Sequence, residues 1–191
     1  MNTQAKTQPQ GPHVCPQHLA FFLDNWMRRL IHPPRKLLGA YINPGDTVLD
    51  VGCGPGFFTI EMARMVGPQG RVIAADLQQG MLDRVRRKAE KHRVAERIEY
   101  HRCAADRVGF AGRVDFILAY YMLHETPDPR GFLNEAAGML NPGGRILVVE
   151  PKMHVSAREF AETVAEGEGA GLTVAGHPAN RGGRSVLLAL P

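Results

Sequence analysis

Short apolar runs alternate with longer segments of helical periodicity along most of the chain. Thr47–Val51 is almost continuously apolar, as expected for a strand that is buried on both faces of a sheet. Residues 80–93 instead place Leu82, Val85 and Ala89 at helical spacing. This alternation of strand and helix predicts an α/β fold built around a mostly parallel sheet.

The same pattern predicts seven strands with helices between them. The predicted strands are Thr47–Val51, 71–75, 97–103, 114–121, 145–149, 172–175 and 185–190. The predicted helices are 57–66, 80–93, 129–140 and 156–170, with a turn at 141–144. Because the last two strands are separated by a segment rich in glycine and proline, we expect them to form an antiparallel hairpin.

A further helical segment precedes the predicted sheet. Residues 19–31 carry apolar side chains on one side, and Pro33 and Pro34 end this helix before a second short one at 35–41. Two such short helices cannot bury their apolar sides alone. We therefore expect them to pack on the sheet domain.

Composition excludes several classes of function. The chain of 191 residues suits one domain, and its net charge of +4 permits anionic partners without requiring nucleic acid. Cys15, Cys53 and Cys103 are far apart and form neither a metal-ligand pair nor a disulfide framework, so we expect no metal site. No apolar stretch approaches the roughly 18 residues of a membrane span. The start has no signal-peptide core, so we expect a reducing, cytoplasmic protein.

The most specific pattern is the glycine-rich turn that follows the first strand. Gly52, Gly54 and Gly56 stand at alternate positions, just where a helix is predicted to begin. Glycine allows positive φ and close approach of a ligand to the backbone, and the first N–H groups of a helix offer positive potential. A dinucleotide fingerprint would need glycine where Phe57 stands, and Asp50 would repel a pyrophosphate but attract a cation. The turn therefore favours a ligand that carries an ammonium and a sulfonium. The alternative is a glycine-rich turn that binds no ligand.

This turn closely resembles the first motif of class I S-adenosylmethionine (SAM)-dependent methyltransferases, in which a hydrophobic-Asp-x-Gly-x-Gly-x-Gly loop cradles the methionine end of the cofactor. The resemblance covers roughly residues 43–151. It implies a Rossmann-like, doubly wound sheet of seven strands with an antiparallel C-terminal hairpin strand. It also implies that SAM is the cofactor and that the loop contacts it through Asp50, Gly52, Cys53, Gly54 and Gly56.

In similar enzymes, N-terminal helices often lie over the cofactor and shape the substrate pocket. The resemblance therefore divides the chain into a flexible N-terminus (1–18), a helical lid (19–42) and a SAM-binding domain (43–191). A helix that only packs against the sheet is the alternative to a lid.

The ends of the second and third predicted strands carry the candidates for the adenosine part of the cofactor. Asp76 ends the second strand, where a carboxylate can accept hydrogen bonds from both ribose hydroxyls. The resemblance places Leu77 against the adenine. Related enzymes usually carry an acid after the third strand, but here Ala104 occupies its position and Asp106 follows two residues later. Either backbone groups of Ala104 and Ala105 or the Asp106 side chain would then recognise the adenine.

The loop after the fourth strand carries the candidates for the acceptor side. In the enzymes that this sequence resembles, this loop faces both the methionine moiety and the acceptor. The resemblance implies that the Tyr120 carbonyl holds the cofactor ammonium, while Tyr121 and His124 orient an acceptor or take its proton. Alternatively, His124 caps the next helix or packs beneath it. Glu150, at the end of the fifth strand, is either a pocket carboxylate or a salt-bridged rim residue.

The function that follows is transfer of a methyl group from SAM to a small-molecule acceptor by in-line displacement, in a monomer or homodimer. One alternative is a non-catalytic SAM-binding protein, because only residues 151–155 separate the fifth strand from the last helix. A nicotinamide-dependent reductase is disfavoured by the loop spacing. We predict a solvated helix face, and not a nucleic-acid site, for the basic residues Arg84, Arg86, Arg87, Lys88, Lys91, His92 and Arg93.

Overall fold

The computed structural model describes residues 33–191. The predicted flexible start and the helix at 19–31 lie outside the described residues. Of the helical segment before the sheet, the model therefore describes only the part from Pro33 onward.

Strands and helices alternate through most of the described chain. The strands are β1 (Thr47–Val51), β2 (Arg71–Asp76), β3 (Ile98–Arg102), β4 (Val114–Tyr120), β5 (Leu140–Pro151), β6 (Thr173–Gly176) and β7 (Gly183–Ala189). The α-helices are α1 (Pro34–Leu38), α2 (Thr59–Met65), α3 (Gln79–Lys91), α4 (Pro129–Met139) and α5 (Ala157–Gly169). Short 3₁₀ turns lie at Ala95–Arg97 and Leu123–Glu125.

Within the described residues, the seven strands form one sheet in the order β3-β2-β1-β4-β5-β7-β6. Strands β1 to β5 pair in parallel, and β7 runs antiparallel to both β5 and β6. This is the doubly wound sheet with a C-terminal hairpin that the sequence predicts. The strand order reverses between β1 and β4, and ligands of open α/β sheets bind at the carboxyl ends of the strands at such a point.

Both faces of the sheet are covered by helices. Along β4, Phe116 and Leu118 are buried on the side of Met62 in α2, while Ile117 is buried on the side of Leu133 in α4. Successive side chains of a strand point to opposite faces, so a strand covered on both sides needs apolar residues at every position. The apolar runs in the sequence have this physical origin.

Strand β5 begins earlier than predicted, at Leu140 and not at Arg145. Leu140 already pairs with Val114 of β4, and the next pair in the ladder joins Arg145 to Phe116. The residues between them, predicted as a turn at 141–144, bulge out of a strand that continues on both sides. The structure includes residues 141–144 in β5 with an irregular register, so the prediction of a turn before the strand was wrong, because pairing with β4 begins already at Leu140.

Helix termini follow the capping residues of the sequence. Ser156 Oγ accepts a hydrogen bond from the N–H of Glu159 (3.2 Å), and the Glu159 carboxylate accepts one from the N–H of Ser156 (2.7 Å). This reciprocal pair is a capping box before α5, which a serine followed three residues later by a glutamate favours. Helix α2 ends before Gly67, whose φ of 69° is in the left-handed region typical of a residue that follows a helix.

Candidate active site

The glycine turn after β1 forms a concave stretch of backbone. Gly52, Gly54 and Gly56 all have positive φ, at 64°, 52° and 84°. A Cβ on Gly52 would stand 2.8 Å from the Cβ of Met122, so the close packing of two loops requires glycine there. Apart from its chain neighbours, no atom of residues 33–191 lies within 4 Å of a Cβ built on Gly54. Within this described part of the chain Gly54 therefore borders open space, where a ligand can approach the main chain.

Asp50 lies beneath this turn and connects the strand to the helix. Its side chain is buried, and Oδ2 accepts a hydrogen bond of 2.6 Å from the hydroxyl of Thr59, the first residue of α2. A carboxylate at this depth gives the floor of the turn a negative charge. That charge suits a ligand with a cationic group.

Asp76 joins the ends of β1 and β2. Its Oδ2 accepts a hydrogen bond from the N–H of Gly54 (2.9 Å), and its Oδ1 accepts one from the N–H of Gln78 (2.8 Å). Burial raises the pKa of this carboxyl, and the two backbone hydrogen bonds oppose the rise. Each carboxylate oxygen has a second lone pair, so both can still accept a hydrogen bond from a ligand hydroxyl.

The loop after β3 is tied to its neighbours at both ends. The N–H of Cys103 donates to the carbonyl of Asp76 (3.1 Å), and the N–H of Ala104 donates to the carbonyl of Arg107 (3.1 Å). The second bond closes a tight turn on which Ala105 and the Asp106 side chain are exposed. These contacts keep Ala104 and Ala105 next to the strand that ends in Asp76.

Glu135 of α4 fixes the far end of this loop, a role that the sequence analysis missed. Its two carboxylate oxygens accept hydrogen bonds from the N–H groups of Val108 (2.9 Å) and Gly109 (2.6 Å). The His101 ring also contacts the Val108 carbonyl through Nε2 (2.7 Å). An acid on the surface of a helix gives no local signal of such a contact, since it depends on how α4 packs beside the loop.

The end of β4 bends sharply into the following loop. Tyr121 has φ of 58°, in the left-handed region that a bulky residue seldom adopts, and its N–H donates to the carbonyl of Val149 (2.8 Å). Its ring lies 4.3 Å from the ring of Tyr120, which in turn lies 4.5 Å from the ring of Phe58. Strained residues of this kind cluster at functional sites because the surrounding structure must hold them.

His124 lies in the 3₁₀ turn that follows, against a buried carboxylate. Its Nδ1 is 2.5 Å from Oε2 of Glu150, which is the last residue but one of β5. The same carboxylate accepts hydrogen bonds from the N–H groups of Leu123 (3.1 Å) and His124 (3.2 Å). The hydrogen bond to Glu150 raises the pKa of His124, and partial burial opposes it.

These contacts decide two alternatives that the sequence left open. Asp128 caps α4 by accepting a hydrogen bond from the N–H of Gly131 (2.8 Å), so the alternative that His124 caps this helix is wrong. Glu150 has only 1% of its surface exposed, so the rim alternative is also wrong. Glu150 is a buried carboxylate, and among residues 33–191 the hydrogen-bond partners of its side chain lie in the loop after β4.

Comparison with known proteins assigns this site to a family. Residues 48–144 match the model of the methyltransferase domain family. The chain belongs to this family. Over 110 residues the methyltransferase domain is 36% identical to the ubiquinone/menaquinone biosynthesis C-methyltransferase UbiE of Enterobacter sp. (strain 638), a match that covers 57% of the chain and 44% of that relative. The demethylmenaquinone methyltransferase of Lactococcus lactis is 35% identical over 107 residues, or 56% of the chain and 42% of the relative.

A solved structure agrees with this assignment. The SAM-dependent methyltransferase of Aquifex aeolicus superposes with a TM-score of 0.83 at 25% identity, covering 93% of this chain and all of that one. The predicted class I SAM-dependent methyltransferase fold, with SAM as its cofactor, is thereby confirmed. The chain spans less than half the length of the two curated methyltransferases described above.

The methyltransferase domain brings its predicted cofactor and acceptor residues to one edge of the sheet. The glycine turn, Asp76, the loop at Ala104 and the turn at His124 all follow the carboxyl ends of parallel strands. Within residues 33–191, the open space beside Gly54 and the carboxylate oxygens of Asp76 could hold the methionine backbone and the ribose of SAM. The carboxylate chemistry at both ends therefore matches a ligand that carries an ammonium and a diol.

Other predicted features lie elsewhere. Helix α3 buries Met81, Leu82, Val85 and Ala89 and exposes Arg84, Arg86, Arg87 and Lys91, as expected for a solvated face. No helix among residues 33–191 is long and apolar enough to cross a membrane. In the same range, no group of three His, Cys, Asp or Glu side chains is placed to hold a metal ion. Burial raises the pKa of the Cys103 thiol to about 12 and also raises that of Cys53.

Proposed function

We propose that this protein transfers a methyl group from SAM to a small-molecule acceptor. The observation that carries the proposal is the hydrogen bond between Asp76 and the N–H of Gly54. It joins the acid that suits a ribose to the glycine that borders open space, so one ligand can contact both. Only a ligand with a diol at one end and a cationic group at the other uses both acids of this site, Asp76 and Asp50.

In this proposal each end of SAM has its own set of residues. The glycine turn, from Gly52 through Cys53 to Gly56, holds the methionine end, with Asp50 supplying negative charge and the Tyr120 carbonyl accepting from the ammonium. The Asp76 carboxylate accepts from the ribose hydroxyls. The adenine lies between Leu77 and the backbone of Ala104 and Ala105, on the loop that Glu135 fixes from the other side.

The acceptor side is assigned to Tyr121 and His124. Bound SAM supplies a methyl group on a sulfonium, which a nucleophile displaces in line. The protein contributes alignment of the acceptor, exclusion of water and, where the nucleophile carries a proton, a group that takes it. Tyr121 has a left-handed φ directly after β4, and His124 follows in the next turn, at the carboxyl end of a strand that neighbours β1.

Three further expectations complete the proposal. The helical segment at 19–42 acts as a lid over the cofactor and shapes the acceptor pocket. The protein works as a monomer or homodimer in the cytoplasm. Its acceptor is a small molecule, because the relatives named for quinone substrates are similar to it across the cofactor-binding domain.

A methyl-transfer assay tests the proposed function. The purified chain is incubated with SAM labelled in its methyl group and with separate acceptors: a demethylated quinol analogue, a catechol, a primary amine, a thiol, and an RNA digest as a macromolecular control. We expect label in one class of small molecule, with S-adenosylhomocysteine formed in equal amount. At limiting SAM, Asp76→Ala should lower the rate of transfer because it weakens SAM binding. Binding of SAM without turnover on any acceptor would instead favour the non-catalytic alternative.

A further inference from the structure

The buried carboxylate of Glu150 holds three donors of one short segment at the acceptor side. These are the N–H groups of Leu123 and His124 and the Nδ1 of the His124 ring. The segment lies on the loop after β4, whereas Glu150 lies on the neighbouring strand β5. Its contacts therefore fix both the backbone and the ring of His124 relative to the sheet.

This arrangement determines which ring nitrogen carries the proton. A carboxylate accepts hydrogen bonds and cannot donate them, so Nδ1 of His124 must carry hydrogen. In the neutral ring, the lone pair then lies on Nε2. Among residues 33–191, the hydrogen bonds of this ring all pass through Nδ1, and 20% of the His124 side chain is exposed. The ring is thus anchored through Nδ1, while part of the side chain is exposed.

We propose that Glu150 is a positioning residue that keeps Nε2 of His124 as the proton acceptor of the methyl transfer. The inference rests on the proposed function and deepens it by naming the class of acceptor. A proton acceptor is useful only for a nucleophile that carries a proton. The acceptor therefore carries a proton on its reacting atom, as a hydroxyl compound, a thiol, a primary amine or an electron-rich ring carbon does, and is not a thioether or a tertiary amine.

The step balances with SAM as the only co-reactant. As the acceptor atom forms its bond to the methyl carbon, sulfur keeps the electron pair of the bond that breaks. The proton of the acceptor atom moves to Nε2 of His124, whose positive charge then lies against the Glu150 carboxylate. Exchange with solvent returns the ring to its neutral form after product leaves.

The charged groups around His124 belong to three elements. Glu150 lies on β5, Glu125 follows His124 in the 3₁₀ turn, and the His154 ring, after β5, lies 5.6 Å from the His124 ring. Both carboxylates raise the pKa of His124, with Glu150 dominating, while burial raises the pKa of Glu125 itself. We therefore expect the loss of Glu150 to change the titration of His124 more than any other single substitution in this group.

The first test needs no acceptor. Nitrogen NMR of the histidine rings reports the tautomer and the pKa of His124 in the wild type, in Glu150→Gln, and in Glu162→Gln as a matched control. Glu162 is an exposed acid of α5 that pairs with Arg158, and within residues 33–191 it forms no hydrogen bond or ion pair with Glu150 or His124. We expect hydrogen on Nδ1 and a pKa above 6.5 in the wild type and the control, and a lower pKa in Glu150→Gln. A neutral ring with hydrogen on Nε2, or the same pKa in all three proteins, would overturn the proposal.

The second test uses turnover. SAM binding by the wild-type protein is first measured by calorimetry. If the wild type does not bind SAM, the proposed function is refuted, and this result says nothing about the role of Glu150. Rates are then compared for a phenol, a hydroquinone, a thiol, a primary amine, a thioether and a tertiary amine. We expect methylation only of an acceptor that carries a proton on its reacting atom, with a rate that rises with pH through the pKa of His124.

In Glu150→Gln we expect kcat to fall about 10- to 100-fold. Complete loss of a general base typically lowers the rate about 10²- to 10⁴-fold, and in this variant the His124 ring remains but is held less firmly. The rising limb of the pH profile should move to lower pH, and the KM for SAM should stay unchanged. Glu150→Asp keeps the negative charge, so its kcat should lie between those of Glu150→Gln and the wild type. If Glu150→Gln fails to fold, Glu150→Asp is compared with the wild type instead. Equal methylation of the thioether, an unmoved pH limb, or no turnover on any proton-bearing acceptor in a protein that binds SAM would refute the inference.

Discussion

Replacement of Asp76 by alanine tests the cofactor site most sharply. In the free protein this side chain accepts two backbone hydrogen bonds, from Gly54 and Gln78. In the proposed complex it also accepts from the ribose. Because a hydrogen bond to a charged group contributes on the order of 1.5–3 kcal/mol, the loss of one such bond should weaken SAM binding by roughly 10- to 150-fold.

The variant also affects the fold, and a matched control separates the two effects. Asp115, at the start of β4, likewise accepts a hydrogen bond from a backbone N–H, that of Thr47 (2.8 Å), but at the opposite end of the strands. Asp76→Ala and Asp115→Ala should therefore both lower the melting temperature, because each leaves a part-buried donor without its acceptor. Only Asp76→Ala should weaken SAM binding.

Isothermal titration calorimetry with SAM and with S-adenosylhomocysteine measures both affinities. We expect Asp76→Asn to lie between the wild type and Asp76→Ala, since the amide keeps one acceptor oxygen but loses the charge. Unchanged affinity in Asp76→Ala would refute the ribose assignment. An equal loss in Asp115→Ala would show that affinity follows general stability and not this contact.

Three further predictions follow from single positions. Gly54→Ala should remain folded, although the left-handed φ at this position should lower the free energy of unfolding by about 1–2 kcal/mol. It should weaken SAM binding, because the added Cβ enters the space beside the glycine turn. Full SAM affinity would contradict the assignment of this turn to the cofactor. Gly138 lies in α4, and apart from the backbone of this helix no atom of residues 33–191 is within 4 Å of an added Cβ. Gly138→Ala should therefore raise the free energy of unfolding by about 0.5–1 kcal/mol in urea. The folded-state pKa of His124 lies above its ordinary value of 6.5, so its pairing with Glu150 stabilises the fold fully below pH 6.5 and less as pH rises through the folded-state pKa. Thermal unfolding should therefore show a gap between the wild type and His124→Ala that narrows with rising pH, and a constant gap would contradict this sign.

The parts of the fold that follow from local pattern were predictable from the sequence. Strand β1 matches its predicted bounds because two-sided burial favours apolar residues, and Val48, Leu49 and Val51 of Thr47–Val51 are buried. The capping box at Ser156 is a contact between residues three apart, so its sequence spacing suffices. The early start of β5 was missed because it depends on pairing with β4, which lies some 25 residues earlier in the chain.

The candidate site divides in the same way. The positive φ of Gly52, Gly54 and Gly56 and the position of Asp76 at a strand end follow from short motifs. The contact between His124 and Glu150 joins two elements that meet only because β4 and β5 are neighbours in the sheet. The sequence did contain one indication that Glu150 is buried. It directly follows the apolar run 146–149, which is typical of a strand covered on both faces of a sheet. Such an acid needs a partner, and only the fold shows which one.

Side-by-side titration of the wild-type chain with SAM and with NADH tests the central claim most directly. Calorimetry should show binding of SAM at one site per chain, competition by S-adenosylhomocysteine and no heat from NADH. The reason is that Asp50 favours a cation and disfavours a pyrophosphate, while Phe57 stands where a dinucleotide site needs glycine. Binding of NADH in place of SAM, or of neither ligand, would contradict the account of this site.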